Sequence, residues 1–148
     1  MKKPGKGRRP RSLAKTDYEA LAQFRYLLRK FMGFSEEAAR EADLTAQQHQ
    51  TLLAIQGFPG RERIMIGELA ERLNLRHHSV VGLVDRLSAR ALVRRHRDSV
   101  DGRRVLIELT AKGRSVLARL SLAHHDELGR LAPLLIQLLA HVERNSSP

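Results

Sequence analysis

The chain has 148 residues, 42% of them hydrophobic, with 27 Lys and Arg against 16 Asp and Glu, a formal net charge of +11, and no cysteine. That length suits one domain with its own core, and the hydrophobic share argues against wholesale disorder. The lack of cysteine excludes a disulfide framework, thiolate metal sites and thiol nucleophiles; no run approaches the ~18 apolar residues of a membrane span; and the positive excess points to a polyanionic partner.

The charge is unevenly placed: residues 1–16 carry +7, 17–60 carry −2, 61–104 carry +5 and 105–148 carry +1. The first block, MKKPGKGRRPRSLAK, has almost nothing apolar to offset the entropy of ordering, so a flexible basic arm is expected over 1–16. Such an arm tracks phosphates or enters a minor groove, or it is a solubilising tail. The basic start is followed by no apolar stretch of signal-peptide type, so a cytoplasmic, nucleoid-associated place is expected.

Leu21, Phe24, Leu28 and Phe31 recur at helical spacing and predict a first helix over about 17–33. Ser35 is expected to open a second, short helical stretch, SEEAAREA. Thr45 followed by Gln48 is a capping box for a helix at about 46–56, ended by Gly57, Pro59 and Gly60.

Ile66, Leu69, Ala70 and Leu73 line one helical face, and Asn74 suits the left-handed turn that follows. A second helix begins near His77, with Val80, Val84, Leu87 and Ala91 as its buried stripe. Its opposite face carries His78, Gly82, Asp85, Arg86 and Ala89, with Arg76, His77 and Ser79 near its start. A small residue at Ala70, a turn at Asn74 and apolar residues at Val80 and Leu83 make helix-turn-helix spacing. An ordinary helical hairpin of a bundle has the same spacing. The next segment favours the first reading: ALVRRHR, the turn DSVDG and RRVLIELT form a β-hairpin carrying Arg94, Arg95, Arg97, Arg103 and Arg104. A basic hairpin directly after a helix-turn-helix is the winged-helix arrangement.

Thr110 is expected to cap a helix with apolar positions Val116, Leu117, Leu120, Leu128 and Leu131, and Pro133 to introduce a kink or a fresh helix. Beyond it, Leu134, Leu135, Ile136, Leu138 and Leu139 exceed one buried face. Either a helix of another subunit covers them or the same chain does.

LTAQQHQTLLAI, IGELAERL with HHSVVGLVDRLSARALV, and RHRDSVDGRRVLIELTAKG, in this order over residues 17–142, resemble the MarR family (multiple antibiotic resistance regulators) of bacterial transcriptional regulators. The resemblance implies a homodimer formed by the first and last helices, bound to pseudo-palindromic double-stranded DNA, with many members released by small-molecule effectors. Arg76, His77, His78 and Ser79 match the start of the family's reading helix, where side chains meet base edges and phosphates. Gly82 departs from the pattern, since a long, often basic residue is common there. In the hairpin Asp98, Asp101 and Arg103 match the family's Asp-x-x-Asp-x-Arg pattern, in which the arginine reaches the minor groove and an aspartate holds an arginine in place. Gly102 stands where arginine is common. Met65 replaces a frequent capping threonine, so the helix from Ile66 is expected to be poorly capped, and the stretch after Leu131 is shorter than in many members.

Seven histidines raise the question of a metal. His49, His124 and His125 with Asp126 or Glu127 are the candidates, but adjacent His124 and His125 point about 100° apart on a helix. His49, on a face with Leu52 and Leu53, is expected to be partly buried and hydrogen-bonded. No metal and no cofactor is expected. A nuclease site built from His96, Asp98 and Asp101 is the enzymatic alternative, but a hairpin tip is a poor rigid platform and turn chemistry explains both aspartates. With four Phe, two Tyr and no Trp, residues for stacking an aromatic effector are few.

The expectation is a mainly α fold with a small β-hairpin wing, a winged helix-turn-helix dimerising through its N- and C-terminal helices. Its parts are 1–16 arm, then one domain over 17–148: 17–56 N-terminal helices, 61–109 winged helix-turn-helix, 110–145 dimerisation helices. The expected DNA-binding residues are Arg76, His77, His78, Ser79, Gly82, Arg86, Arg95, Arg97, Asp98, Asp101, Arg103 and Arg104. The expected activity is sequence-specific regulation, as a repressor more than an activator, without enzymatic function and without a membrane partner. The alternative is a nonspecific or architectural DNA-binding protein driven by the arm, without an effector.

Overall fold

The computed structural model describes residues 12–146. Its elements are α1 (Lys15–Glu41), α2 (Ala46–Gln56), β1 (Ile64–Met65), α3 (Ile66–Leu73), α4 (His77–Ala89), β2 (Val93–Arg97), β3 (Val105–Leu109) and α5 (Ala111–Ser146). Most of the expected basic arm lies outside the described residues, and α1 begins at Lys15, inside the arm's expected limit. The mainly helical expectation holds, with one addition: the hairpin is part of a three-stranded antiparallel sheet of order β1-β3-β2.

The two long helices differ from the expected pairs of shorter ones. α1 runs unbroken through Gly33 and Ser35. Ser35 does not cap a new helix; it is buried inside this one, with its hydroxyl 2.8 Å from Nε2 of His124. The buried side of α1 is also rotated from the expected stripe: Ala20, Leu27 and Ala39 are buried and Phe24 and Phe31 half-buried, while Leu21 and Leu28 are exposed. α5 likewise continues through Pro133. The proline ring removes one N–H and faces the carbonyl of Gly129, four residues earlier, without ending the helix. Asp17 ties the far ends of these helices together, accepting hydrogen bonds from Ala14 N at 2.9 Å, from Asn145 Nδ2 at 2.8 Å, and pairing with His141 at 3.0 Å. These contacts, the Ala14 amide first, hold its carboxyl below the usual carboxylate range.

Between the helices sits the core, where Leu52 and Ile55 of α2, Leu69 of α3, Val80, Val84 and Leu87 of α4, and Ile107 of β3 are wholly buried. Thr45 and Gln48 form the expected reciprocal cap, each bond 3.1 Å. Leu117 and Leu120 of α5 close the core from the other side.

Among the described residues three non-glycines have positive φ: Asp43 (56°), Asn74 (52°) and Ala91 (56°). Asparagine and aspartate tolerate this region through their short polar side chains, but alanine is strained there, by about 1 kcal/mol. Ala91 was expected to extend the buried stripe of α4; instead it lies past the helix end, exposed. The position holds because Leu92 N bonds back to Leu87 O at 3.0 Å and Thr110 Oγ1 donates to the Ala91 carbonyl at 2.6 Å. Ala91→Gly is therefore expected to raise stability by up to about 1 kcal/mol in urea unfolding, part of the gain being offset by the greater freedom of glycine when unfolded. A loss of stability would show that the left-handed turn is not strained.

Candidate nucleic-acid interface

α3 and α4 are joined by the turn the sequence specifies. Asn74 adopts φ 52°, ψ 44°, and Leu75 N returns to Ala70 O at 3.0 Å. Ala70, 9% exposed, is small where the two helices cross. Val80, Leu83, Val84 and Leu87 fix one side of α4 to the core, which leaves His77, His78, Asp85, Arg86 and Ala89 exposed and Ser79 and Gly82 half-buried on the remaining surface. Arg76 occupies the N-cap and gives no side-chain cap. Among the described residues the first amides of α4 thus have no side-chain acceptor, an arrangement that suits a phosphate oxygen. α3 is better closed than its Met65 suggested: the Glu68 carboxylate accepts from Met65 N at 2.9 Å and pairs with Arg61.

The strand registers assign the hairpin arginines to two different faces. Val93 and Arg95 pair with Leu109 and Ile107, on the side of the sheet turned to the core and α4. There Arg95 bonds Asp85 of α4 at 2.5 Å, joining wing and helix. Arg97, on the same face further out, is exposed. Arg94 and Glu108 are partners on the opposite face, and the register that pairs Ile64 with Ile107 on the core face brings Arg63 alongside Glu108 from the other strand. The Glu108 side chain accepts from Arg63 Nε at 2.6 Å and from Arg94 Nε at 2.5 Å, and contacts His96 Nε2 at 2.6 Å. Burial alone would raise the Glu108 carboxyl; the hydrogen bonds from Arg63, Arg94 and His96 outweigh it and bring it down to about 2. Glu108 is only 7% exposed, and nothing in the sequence spacing signals that burial.

At the hairpin tip the aspartates hold the backbone. Asp98 Oδ1 accepts from Val100 N at 3.0 Å and Asp101 Oδ1 from Arg103 N at 3.1 Å, while Asp98 N reaches Arg104 O at 2.9 Å. Asp101 also pairs with the Arg104 guanidinium at 3.5 Å, so the arginine restrained by an aspartate is Arg104, leaving the exposed Arg103 side chain projecting beside it. His96 is turned to Glu108 instead, and the three residues of the enzymatic alternative do not converge.

Among the histidines, His49 and His124 meet where α1, α2 and α5 come together, their ring centroids 4.7 Å apart, with Phe31 and Phe34 edge-on to His124. His124 bonds Leu120 O at 2.7 Å and Ser35. His49 is more deeply enclosed than expected, 3% exposed, and among the described residues its Nδ1 has no hydrogen-bond partner, contrary to expectation. Burial first, and then the neighbouring His124, holds its imidazole below the usual histidine range. His125 is exposed, and no third His, Asp or Glu among the described residues completes a metal-holding group.

A helix-turn-helix whose second helix is backed by a three-stranded sheet with an arginine-bearing hairpin defines a winged-helix protein. The MarR family model matches residues 42–104, which span the helix-turn-helix and most of the wing. The chain is 31% identical over 109 residues to the HTH-type transcriptional repressor NicR of Pseudomonas putida, covering 71% of this chain and 67% of NicR. It is 37% identical over 76 residues to the transcriptional regulator HosA of Escherichia coli, covering 51% of this chain, so it spans about half of HosA's length, 54%. The crystal structure of AbsC, a MarR family transcriptional regulator from Streptomyces coelicolor, superposes with a TM-score of 0.70 at 19% identity, over 93% of this chain and 94% of AbsC. The chain belongs to the MarR family of transcriptional regulators.

Proposed function

We infer that the chain is a sequence-specific DNA-binding repressor that acts as a homodimer on a pseudo-palindromic operator. The observation that carries this is the joining of the exposed side of α4 to the arginine-bearing wing through Asp85 and Arg95. α4 enters the major groove with Arg76, His77, His78, Ser79 and Arg86 toward bases and phosphates, while Arg97, Arg103 and Arg104 grip the flanking backbone. Asp98 and Asp101 serve by shaping the tip, and Arg95 by setting the angle between wing and helix. NicR, which this chain resembles, is a transcriptional repressor, and the chain's family is one of transcriptional regulators.

Residues 61–109 form the reading part, and 17–56 with 110–145 the dimerising part. The support is the apolar surface left open on α1 and α5: Tyr18 (57%), Leu21 (49%), Leu134 (44%), Ile136 (66%) and Leu139 (58%) are exposed. A second copy covering these helices places the two α4 helices one turn of duplex apart, roughly 34 to 36 Å. Relief by a small-molecule effector, a cytoplasmic location at the nucleoid and the absence of enzymatic activity belong to the same reading. No helix among the described residues is long and apolar enough to cross a membrane.

The test is selection from a randomised duplex pool at about 150 mM salt. A palindromic consensus with half-sites one helical turn apart is expected. On that consensus Arg103→Ala weakens binding to all duplexes and lowers the salt slope by about one unit, whereas His78→Ala changes base preference. A pool without enrichment would overturn this reading in favour of a nonspecific, architectural binder held by the basic segment 1–16.

A further inference from the structure

Gly82 stands in the middle of the outward side of α4, four residues after His78 and four before Arg86. Its φ is not in the left-handed region, where Gly60 is the one glycine among those described. Inside a helix glycine is less stable than alanine, so no backbone requirement accounts for it. Packing against the core does not account for it either: a Cβ built on Gly82 would meet one side chain within 4 Å, the guanidinium of Arg86, with Nη1 at 3.4 Å. Helical side chains lean toward the N-terminus. The Arg86 guanidinium thus lies back over the strip where a residue at 82 would project. Asp85 beside it is bonded by Arg95, and Arg86 has no ion-pair partner among the described residues.

We propose that Gly82 and Arg86 form one base-reading unit. The gap at 82 lets the Arg86 guanidinium be presented a turn earlier along α4, where its paired N–H groups address the O6 and N7 acceptors of a guanine in the major groove. A bulky residue at 82 evicts the guanidinium from that position. The unit explains how a reading helix with glycine at its centre retains sequence preference, and it rests on the DNA-reading role given to α4 above.

The experiment is duplex selection with the full chain and with Arg86→Ala, Gly82→Leu, Gly82→Ala and the Gly82→Leu/Arg86→Ala pair, each checked for folding by thermal melting. The parent is expected to enrich guanine at one position in each half-site. Arg86→Ala lowers that preference roughly tenfold. Gly82→Leu lowers it at the same position by a similar factor and leaves the other positions unchanged, and the double variant is no worse than either single one. Gly82→Ala, which adds a single methyl at van der Waals distance, keeps the guanine preference and melts no lower than the parent. The pairing is overturned if the two single substitutions act at different positions, if their effects multiply in the double variant, or if guanine preference survives in Arg86→Ala. A parental pool with no consensus removes the sequence-specific reading and this unit together, whereas a parental consensus untouched by the substitutions removes the unit alone.

Discussion

Gly113→Ala is expected to lower the melting temperature by roughly 6 to 12 °C, corresponding to a loss of about 3 kcal/mol. Gly113 lies in the first turn of α5, capped by Thr110 Oγ1 at 3.0 Å. A methyl group there would stand 2.0 Å from the Leu92 carbonyl oxygen and 3.0 Å from its carbon, contacts with backbone that no rotamer change relieves. That same carbonyl accepts from Thr110 N at 3.0 Å. Moving α5 away breaks this bond and loosens the joint between the long helix and the sheet. Circular dichroism melts at matched protein concentration provide the measurement, with Gly129→Ala as the control. Nothing lies within 4 Å of a Cβ at Gly129, so that variant should melt no lower than the parent. Equal melting of the two variants would show that α5 does not approach Leu92 this closely.

Glu108→Gln is expected to cost about 2 kcal/mol at pH 7 and to change how stability depends on pH. One carboxylate, buried on the central strand, serves Arg63, Arg94 and His96 at once, and an amide leaves those donors facing a group that itself donates. Arg63 and Arg94 are about half exposed, and water offsets part of the loss. The folded-state carboxyl titrates near 2 against an ordinary 4.5, so its contribution is full above about 4.5 and is lost as pH falls toward 2. Urea midpoints at pH 7, 5 and 3 should therefore fall more steeply for the parent than for Glu108→Gln below pH 5. Asp17 and Glu68 are also held below their usual range, and the difference between the two proteins isolates Glu108 from them. Parallel pH profiles would mean that the carboxylate is not held by these partners.

The helix-turn-helix was legible because its signals are local. Asn74 takes the left-handed turn its side chain favours, Thr45 and Gln48 satisfy each other within one turn, and Val80, Val84 and Leu87 declare a face by spacing alone. The hairpin was equally local, its turn set by Asp98 and Asp101. What escaped depends on partners far along the chain. Ser35 has the composition of a cap, but its partner His124 lies 89 residues away. β1 is two residues long, too short for any alternation, and exists through pairing with β3. Glu108 gathers Arg63 from 45 residues upstream, and the engagement of Arg95 by Asp85 follows from a strand register rather than from residue type. Gly113 was one glycine in an ordinary helical run until the fold brought Leu92 against it.

Arg90, at the end of α4, joins the exposed helix to the helical frame. Its guanidinium bonds the carbonyl and carboxylate of Asp43 at the corner between α1 and α2, and its own carbonyl accepts from Lys112 in the first turn of α5. Three elements of the helical frame are thereby tied to the root of the exposed helix. The orientation of α4 is in this way coupled to the corner between α1 and α2 and to the start of α5.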